Sequence, residues 1–205
     1  MSLYQRVLGI PFVYNKVRPL VLGGIDMSPV YERLEVQPGD TVLDVGCGTG
    51  VALECLPQFA RYVGFDTDEV ALRYARQRVR GESRNVQFEG RILQAKDVEE
   101  WAPDVAVLAG LLHHLTDDEC RALFRDLKRS TKLRRVTTLD VSFFPGQYLN
   151  NFFTRMDRGK FPRHPEVYSE LARQGGYRVE EGIKIPSRPG GKRISYWVMR
   201  LAPER

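Results

Sequence analysis

Val42-Leu43-Asp44-Val45-Gly46-Cys47-Gly48-Thr49-Gly50 reads, in that order, as a strand, a glycine loop and the threshold of a helix. Thr41 to Val45 is a short apolar run bounded by the turn pair Pro38-Gly39, which predicts a buried strand. The glycines predict a tight loop, because glycine reaches positive φ and lets a ligand approach the main chain closely. A helical pattern from Val51 then offers unpaired N–H groups at its start. Together these make a cradle for a nucleotide-type ligand. Its spacing excludes two common versions. A dinucleotide fingerprint needs G-x-G-x-x-G or G-x-G-x-x-A, whereas Gly46-x-Gly48-x-Gly50 leaves Val51 in the last place, and no Gly-Lys-Ser or Gly-Lys-Thr follows for a phosphate loop.

A second apolar run, Tyr62-Val63-Gly64-Phe65, ends on Asp66, where a carboxylate can accept both hydroxyls of a ribose. Thr67-Asp68-Glu69 supplies helix-start chemistry, and the helical pattern continues to near Gly81. Val86-Gln87-Phe88, Asp104 to Ala109 and Arg135 to Val141 read as further strands, with a helix from Asp117 to Lys128 opened by the capping box Thr116-x-x-Glu119. Tyr177 to Glu180 and Ile194 to Met199, separated by the turn-rich stretch Pro186 to Gly191, predict an antiparallel edge hairpin. The expected fold is therefore α/β and doubly wound, a mostly parallel seven-stranded sheet with helices on both faces. Residues 1–35, with helical spacing broken at Pro11 and Pro19, are expected to form a helical cap, and 145–165 a substrate-side insertion of the same single domain, 1–205.

The chain has 205 residues, 42% hydrophobic and 28% charged, which suffices for one core. A net charge of +5 admits an anionic partner without demanding one. The basic run Lys128 to Arg135 reads first as a solvated helix end and only second as a nucleic-acid footprint. Three cysteines, Cys47, Cys55 and Cys120, lack metal-ligand spacing and are odd in number, so a reducing, cytoplasmic setting and no metal are expected. No apolar stretch approaches the length of a membrane span, and no secretory leader is evident.

Asp44-x-Gly46-x-Gly48-x-Gly50 resembles motif I of the Rossmann-like, class I methyltransferases that use S-adenosylmethionine (SAM). The resemblance extends through Gly110-Leu111-Leu112-His113-His114-Leu115, Thr138-Leu139-Asp140, Pro145-Gly146-Gln147 and Asp157-Arg158-Gly159-Lys160 to a family of bacterial small-molecule SAM methyltransferases. It implies SAM as cofactor and S-adenosylhomocysteine as product. Carried over by position, it implies cofactor contacts from Asp44, Gly46, Cys47, Gly48, Gly50, Asp66, Thr67, Arg91 and Ile92, with main-chain contacts at Gly110 and Leu111. The chain departs from the pattern after the third strand. Gly90-Arg91-Ile92 stands where an acid usually holds the adenine amino group, and Asp97 is a poor substitute. The Pro-Gly turn common before the fifth strand is also replaced, by Lys132-Leu133-Arg134.

Methyl transfer needs an aligned nucleophile, and a base only where the acceptor is protonated. His113 and His114 follow the fourth strand directly and have the right unperturbed pKa, so an O-methylation with His113 or His114 as base is expected, one of the pair packing structurally and His113 the one expected to face the crevice; nitrogen and carbon acceptors stay open. Tyr14, with Tyr4 and Phe12, suits an aromatic wall against a sulfonium. Arg155 and Arg158, near Lys160 and Arg163, suit an anionic small-molecule acceptor. The alternatives are an RNA or DNA methyltransferase, which lacks here both Asn/Asp-Pro-Pro-Tyr and Pro-Cys motifs, and a SAM-binding protein without catalysis. A dehydrogenase is disfavoured by the glycine spacing. Acceptor identity and oligomeric state are not encoded in any of these patterns.

Overall fold

The computed structural model describes residues 25–80, 85–187 and 194–204. After a short helix α1 (Ser28–Glu32) the chain alternates β1 (Thr41–Val45), α2 (Ala52–Cys55), β2 (Arg61–Phe65), α3 (Glu69–Arg78), β3 (Val86–Glu89), α4 (Ala95–Trp101) and β4 (Val105–Ala109). It continues through a 3₁₀ turn (Leu112–His114), α5 (Asp117–Leu127), β5 (Arg135–Val141), α6 (Tyr148–Arg155), α7 (Pro165–Gln174), β6 (Tyr177–Pro186) and β7 (Ser195–Pro203). The sheet has seven strands in the order β3-β2-β1-β4-β5-β7-β6. β1 pairs in parallel with both β2 and β4, and β7 is antiparallel to β5 and β6. The chain steps outward from β1 to β3, then restarts on the other side at β4. That reversal opens a crevice between the carboxyl ends of β1 and β4.

β1 and β4 sit mid-sheet and are buried on both faces, which is why they read as continuous apolar runs instead of alternating ones. Val42, Tyr62, Val105, Val107 and Val198 pack on one face beneath α1 and α2. Leu43, Val63, Ala106, Leu108 and Met199 pack on the other beneath α4, α5 and α7. Each such Val, Leu or Met side chain contributes about 1.5–3 kcal/mol by leaving water.

Local signals set the helix starts. Asp68 Oδ1 accepts from the N–H groups of Val70 (2.9 Å) and Ala71 (3.1 Å) at the head of α3. Thr116 N–H donates to Glu119 Oε2 (2.7 Å) and Glu119 N–H to Thr116 Oγ1 (3.3 Å), so the capping box forms as read. α2 departs from its pattern and is a single turn. Leu56, which precedes Pro57, is extended (φ −75°, ψ 136°), because the proline ring excludes the helical conformation from the residue before it.

The three arginines of the basic run are paired within the molecule. Arg129 meets Glu99, Arg134 forks onto Asp40, and Arg135 meets Glu35 and Glu180. Residues 1–24, including Tyr4, Phe12 and Tyr14, lie outside the described residues, as does most of the turn-rich stretch between β6 and β7. Of the expected cap, Ile25, Met27 and Tyr31 line the crevice. Among the described residues no helix is long and apolar enough to cross a membrane.

Candidate active site

The crevice opens into a cavity of about 1040 Å³ at the carboxyl ends of β1, β2, β4 and β5. Its floor is the glycine loop, whose three glycines all take positive φ (Gly46 78°, Gly48 52°, Gly50 71°). Gly46 and Cys47 both donate to the Phe65 carbonyl (2.8 and 3.1 Å), which ties the loop to the end of β2. A Cβ on Gly46 would stand 3.3 Å from Leu111 Cδ1, so the loops after β1 and β4 meet there. Asp66 fixes the loop from the side. Its Oδ2 accepts from Gly48 N–H and its Oδ1 from Asp68 N–H, each at 2.8 Å. Thr67, beside it, also lines the cavity.

Asp44 lies beneath the loop, 3% exposed, and accepts a hydrogen bond from the Tyr62 hydroxyl at 2.6 Å. Burial pushes its carboxyl up to about 7. The Tyr62 hydrogen bond works against that rise, and the neighbouring Asp66 carboxylate adds to it. Cys47 is buried, and its thiol is pushed far above the ordinary range chiefly by that burial.

On the opposite wall stand Arg91, Ile92 and Leu93. Arg91 spans Asp97 as a fork, Nη1 to Oδ2 at 2.6 Å and Nη2 to Oδ1 at 2.9 Å, and Gln94 N–H also donates to Asp97 Oδ2. The Arg91 hydrogen bond is what chiefly holds the Asp97 carboxyl below its usual range. Asp97 is thus committed to the start of α4. It is not among the residues lining the cavity, while Ile92, 73% exposed, projects from the wall.

His113 lines the cavity, but its ring is engaged on both sides, which sets it apart from the base expected there. Its ring is 4% exposed, with Nδ1 2.7 Å from Asp140 Oδ1 and Nε2 3.1 Å from Asp157 Oδ1. Burial by itself lowers the His113 pKa, but the hydrogen bonds to Asp140 and Asp157 outweigh it and raise the pKa to about 9. At neutral pH the ring is therefore an imidazolium with both N–H groups engaged and no lone pair to offer. His114 is the exposed member of the pair, its ring 4.2 Å from that of His113, and both line the cavity. The turn that carries Asp157 is pressed onto His113: a Cβ on Gly159 would lie 2.1 Å from His113 Cδ2, and Phe161 N–H donates to the His113 carbonyl at 2.9 Å.

The basic residues of this segment separate. Arg158 lines the cavity, whereas Arg155 is exposed on α6 and is not among its lining residues, because α6 turns that side chain to solvent. Arg163 is buried and is spent on the fold, donating to the carbonyls of Leu112, Phe161 and Leu115 and to Asp117. Asp140 and Asp157 were missed as partners of His113. The available signal was a carboxylate near the end of an otherwise uncharged strand interior, Val136-Thr137-Thr138-Leu139-Asp140-Val141.

Residues 42–133 match the family model described as a methyltransferase domain. The chain is 27% identical over 187 residues to a ubiquinone biosynthesis O-methyltransferase of Nitrosospira multiformis, covering 85% of this chain and 75% of that one. It is 26% identical over 198 residues to a phosphoethanolamine N-methyltransferase of Triticum aestivum, covering 90% of this chain but only 37% of that longer protein. A solved SAM-dependent methyltransferase from Methanosarcina mazei superposes with a TM-score of 0.64 at 17% identity, over 88% of this chain and 99% of that one. A reversed α/β sheet, a glycine loop with its spaced acid and the matching domain model define the class. The chain is a SAM-dependent methyltransferase of Rossmann-like fold, and SAM is its cofactor. Within that class its relatives divide by acceptor atom, oxygen in one name and nitrogen in the other.

Proposed function

We propose that residues 1–205 form one methyltransferase unit that moves the methyl group of SAM to an oxygen of a small-molecule acceptor. The observation that carries this reading is the one cavity on which the glycine loop, Asp66 and the histidine pair converge. SAM lies with its ribose on Asp66 and its methionine end over Gly46, Cys47 and Gly48, while Thr67, Arg91 and Ile92 border the adenine and Gly110 and Leu111 close the opposite side. The acceptor occupies the end walled by His114, Leu115 and Arg158, to which the segment 145–165 contributes, and Arg158 favours an anionic acceptor. His114, exposed at the cavity, is the histidine placed to activate the acceptor, and His113 behind it is a positioning residue. The internally paired arginines of the basic run favour a small molecule over a nucleic acid.

The His114→Ala variant is expected to bind S-adenosylhomocysteine as the unchanged protein does, and to lose about a hundredfold in kcat on an accepted substrate, the usual scale of a proton-handling group. Calorimetry and single-turnover kinetics check the two halves. Unchanged turnover would remove His114 from the reaction.

Asp44 makes cofactor affinity depend on pH. Free protein holds the Asp44 carboxyl half-protonated near pH 7, and a cationic cofactor favours its ionised form, so binding releases a proton. Affinity for SAM is expected to rise about tenfold from pH 6 to pH 8 and to level off above, as a carboxyl titrating near 7 in one state only requires. Asp44→Asn should flatten the profile. An unchanged slope in that variant would assign the proton elsewhere.

A further inference from the structure

The expectation of no metal rested on cysteine spacing, yet among the described residues His113, His114 and Asp157 come together with one ligand atom each, all within 4.8 Å of one another. We propose that His113 Nε2, a ring nitrogen of His114 and the Asp157 carboxylate bind a divalent transition-metal ion of the zinc type at the acceptor end of the cavity. Two imidazoles and one carboxylate are a donor set suited to such ions, and three protein ligands leave a position open for an outside oxygen.

Three features of the surroundings support the assignment. The first is the ligand spacing: Nε2 of His113 and Oδ1 of Asp157 stand 3.1 Å apart. Two donors about 2.1 Å from one ion and about 95° apart have that separation, between octahedral and tetrahedral angles. The second is the shell behind the ligands. His113 Nδ1 contacts Asp140, whose Oδ1 also accepts from the His113 main-chain N–H at 3.1 Å, so the ring is held with Nε2 outward. A carboxylate on the far nitrogen is the usual support of a metal-bound imidazole. The third is charge. Asp140 and Asp157 set two carboxylates against one imidazole ring, and a divalent ion in the place of the Nε2 proton would balance both.

The use of the ion rests on the reading of the cavity as a methyl-transfer site; its binding does not. With the ion in place His114 is a ligand instead of a base. An acceptor hydroxyl in the open position loses its proton to solvent at a lowered pKa, its oxygen forms a bond to the methyl carbon, and the carbon–sulfur bond breaks with its electron pair returning to sulfur.

The test is titration of the full chain, first stripped with a chelator, with Co²⁺ followed by its visible absorption and with Zn²⁺ by calorimetry. One ion per chain is expected, with His114→Ala and Asp157→Asn each weakening binding tenfold or more. His114→Ala alters an exposed side chain and keeps the test valid if Asp157→Asn loosens its turn. No stoichiometric binding, or equal binding by the unchanged protein and both variants, would overturn the site. S-adenosylhomocysteine affinity measured on the same samples separates the two readings. Cofactor binding without metal binding overturns only the ion, and metal binding without cofactor binding overturns only the methyl-transfer reading.

Discussion

Asp66→Ala is expected to weaken S-adenosylhomocysteine binding about a hundredfold, close to 3 kcal/mol. The side chain acts twice. It holds the glycine loop and the head of α3 through the N–H groups of Gly48 and Asp68, and in the proposed cofactor pose it accepts from the ribose hydroxyls. Hydrogen bonds to a charged partner contribute about 1.5–3 kcal/mol each, and the loop bond and the ribose bonds are lost together. Because Asp66 is only partly buried and water replaces part of what its two N–H partners lose, the melting temperature should fall by no more than a few degrees, which separates loss of a ligand contact from loss of fold. Calorimetry with S-adenosylhomocysteine and a thermal melt decide it. An affinity within threefold of the unchanged protein would mean that the loop is held without Asp66 and that the ribose lies elsewhere.

Gly159→Ala has the second large expected effect, this time on stability and turnover together. The added Cβ would lie 2.1 Å from His113 Cδ2 and 2.6 Å from the His113 carbonyl oxygen, and the ring cannot retreat, because Asp140 holds it from behind. Something must shift, at a cost of about 3 kcal/mol, the range for overpacking a fitted site. For a chain of this size that lowers Tm by about 6–12 °C. The turn most easily moved is the one carrying Asp157, so kcat should fall more than cofactor affinity. Gly39→Ala is the control, since nothing lies within 4 Å of its added Cβ and its φ is ordinary. A Gly159→Ala protein as stable and active as the control would show that the 157–161 turn does not depend on its packing against His113.

Much of the cofactor side was legible because its determinants are local. Asp68 and Thr116 cap the helices that follow them, the glycines of motif I need positive φ whatever surrounds them, and β4, like β1 apart from Thr41 and Asp44, is apolar because both faces are covered. The acceptor side was less legible. His113 and His114 are neighbours with identical chemistry, and nothing local in the sequence tells which ring is held between two carboxylates and which is exposed. Asp140 lies 27 residues beyond His113, and it is the sheet register, Ala109 beside Leu139, that brings the two together. Arg155, Arg158 and Arg163 form one basic cluster on paper. α6 sends the first to solvent, the turn sends the second to the cavity, and four carbonyl and carboxylate partners bury the third.

The sequence by itself determined the strand–loop–helix order, the parallel sheet and the nucleotide cradle, since each follows from the chemistry of a few consecutive residues. Only the tertiary structure decided which histidine is locked and which is exposed, that Asp97 belongs to Arg91, and that Asp157 closes on the pair. Those outcomes depend on which distant residues share a buried space, where a charge must find a partner or lose its proton, and no local pattern carries that information.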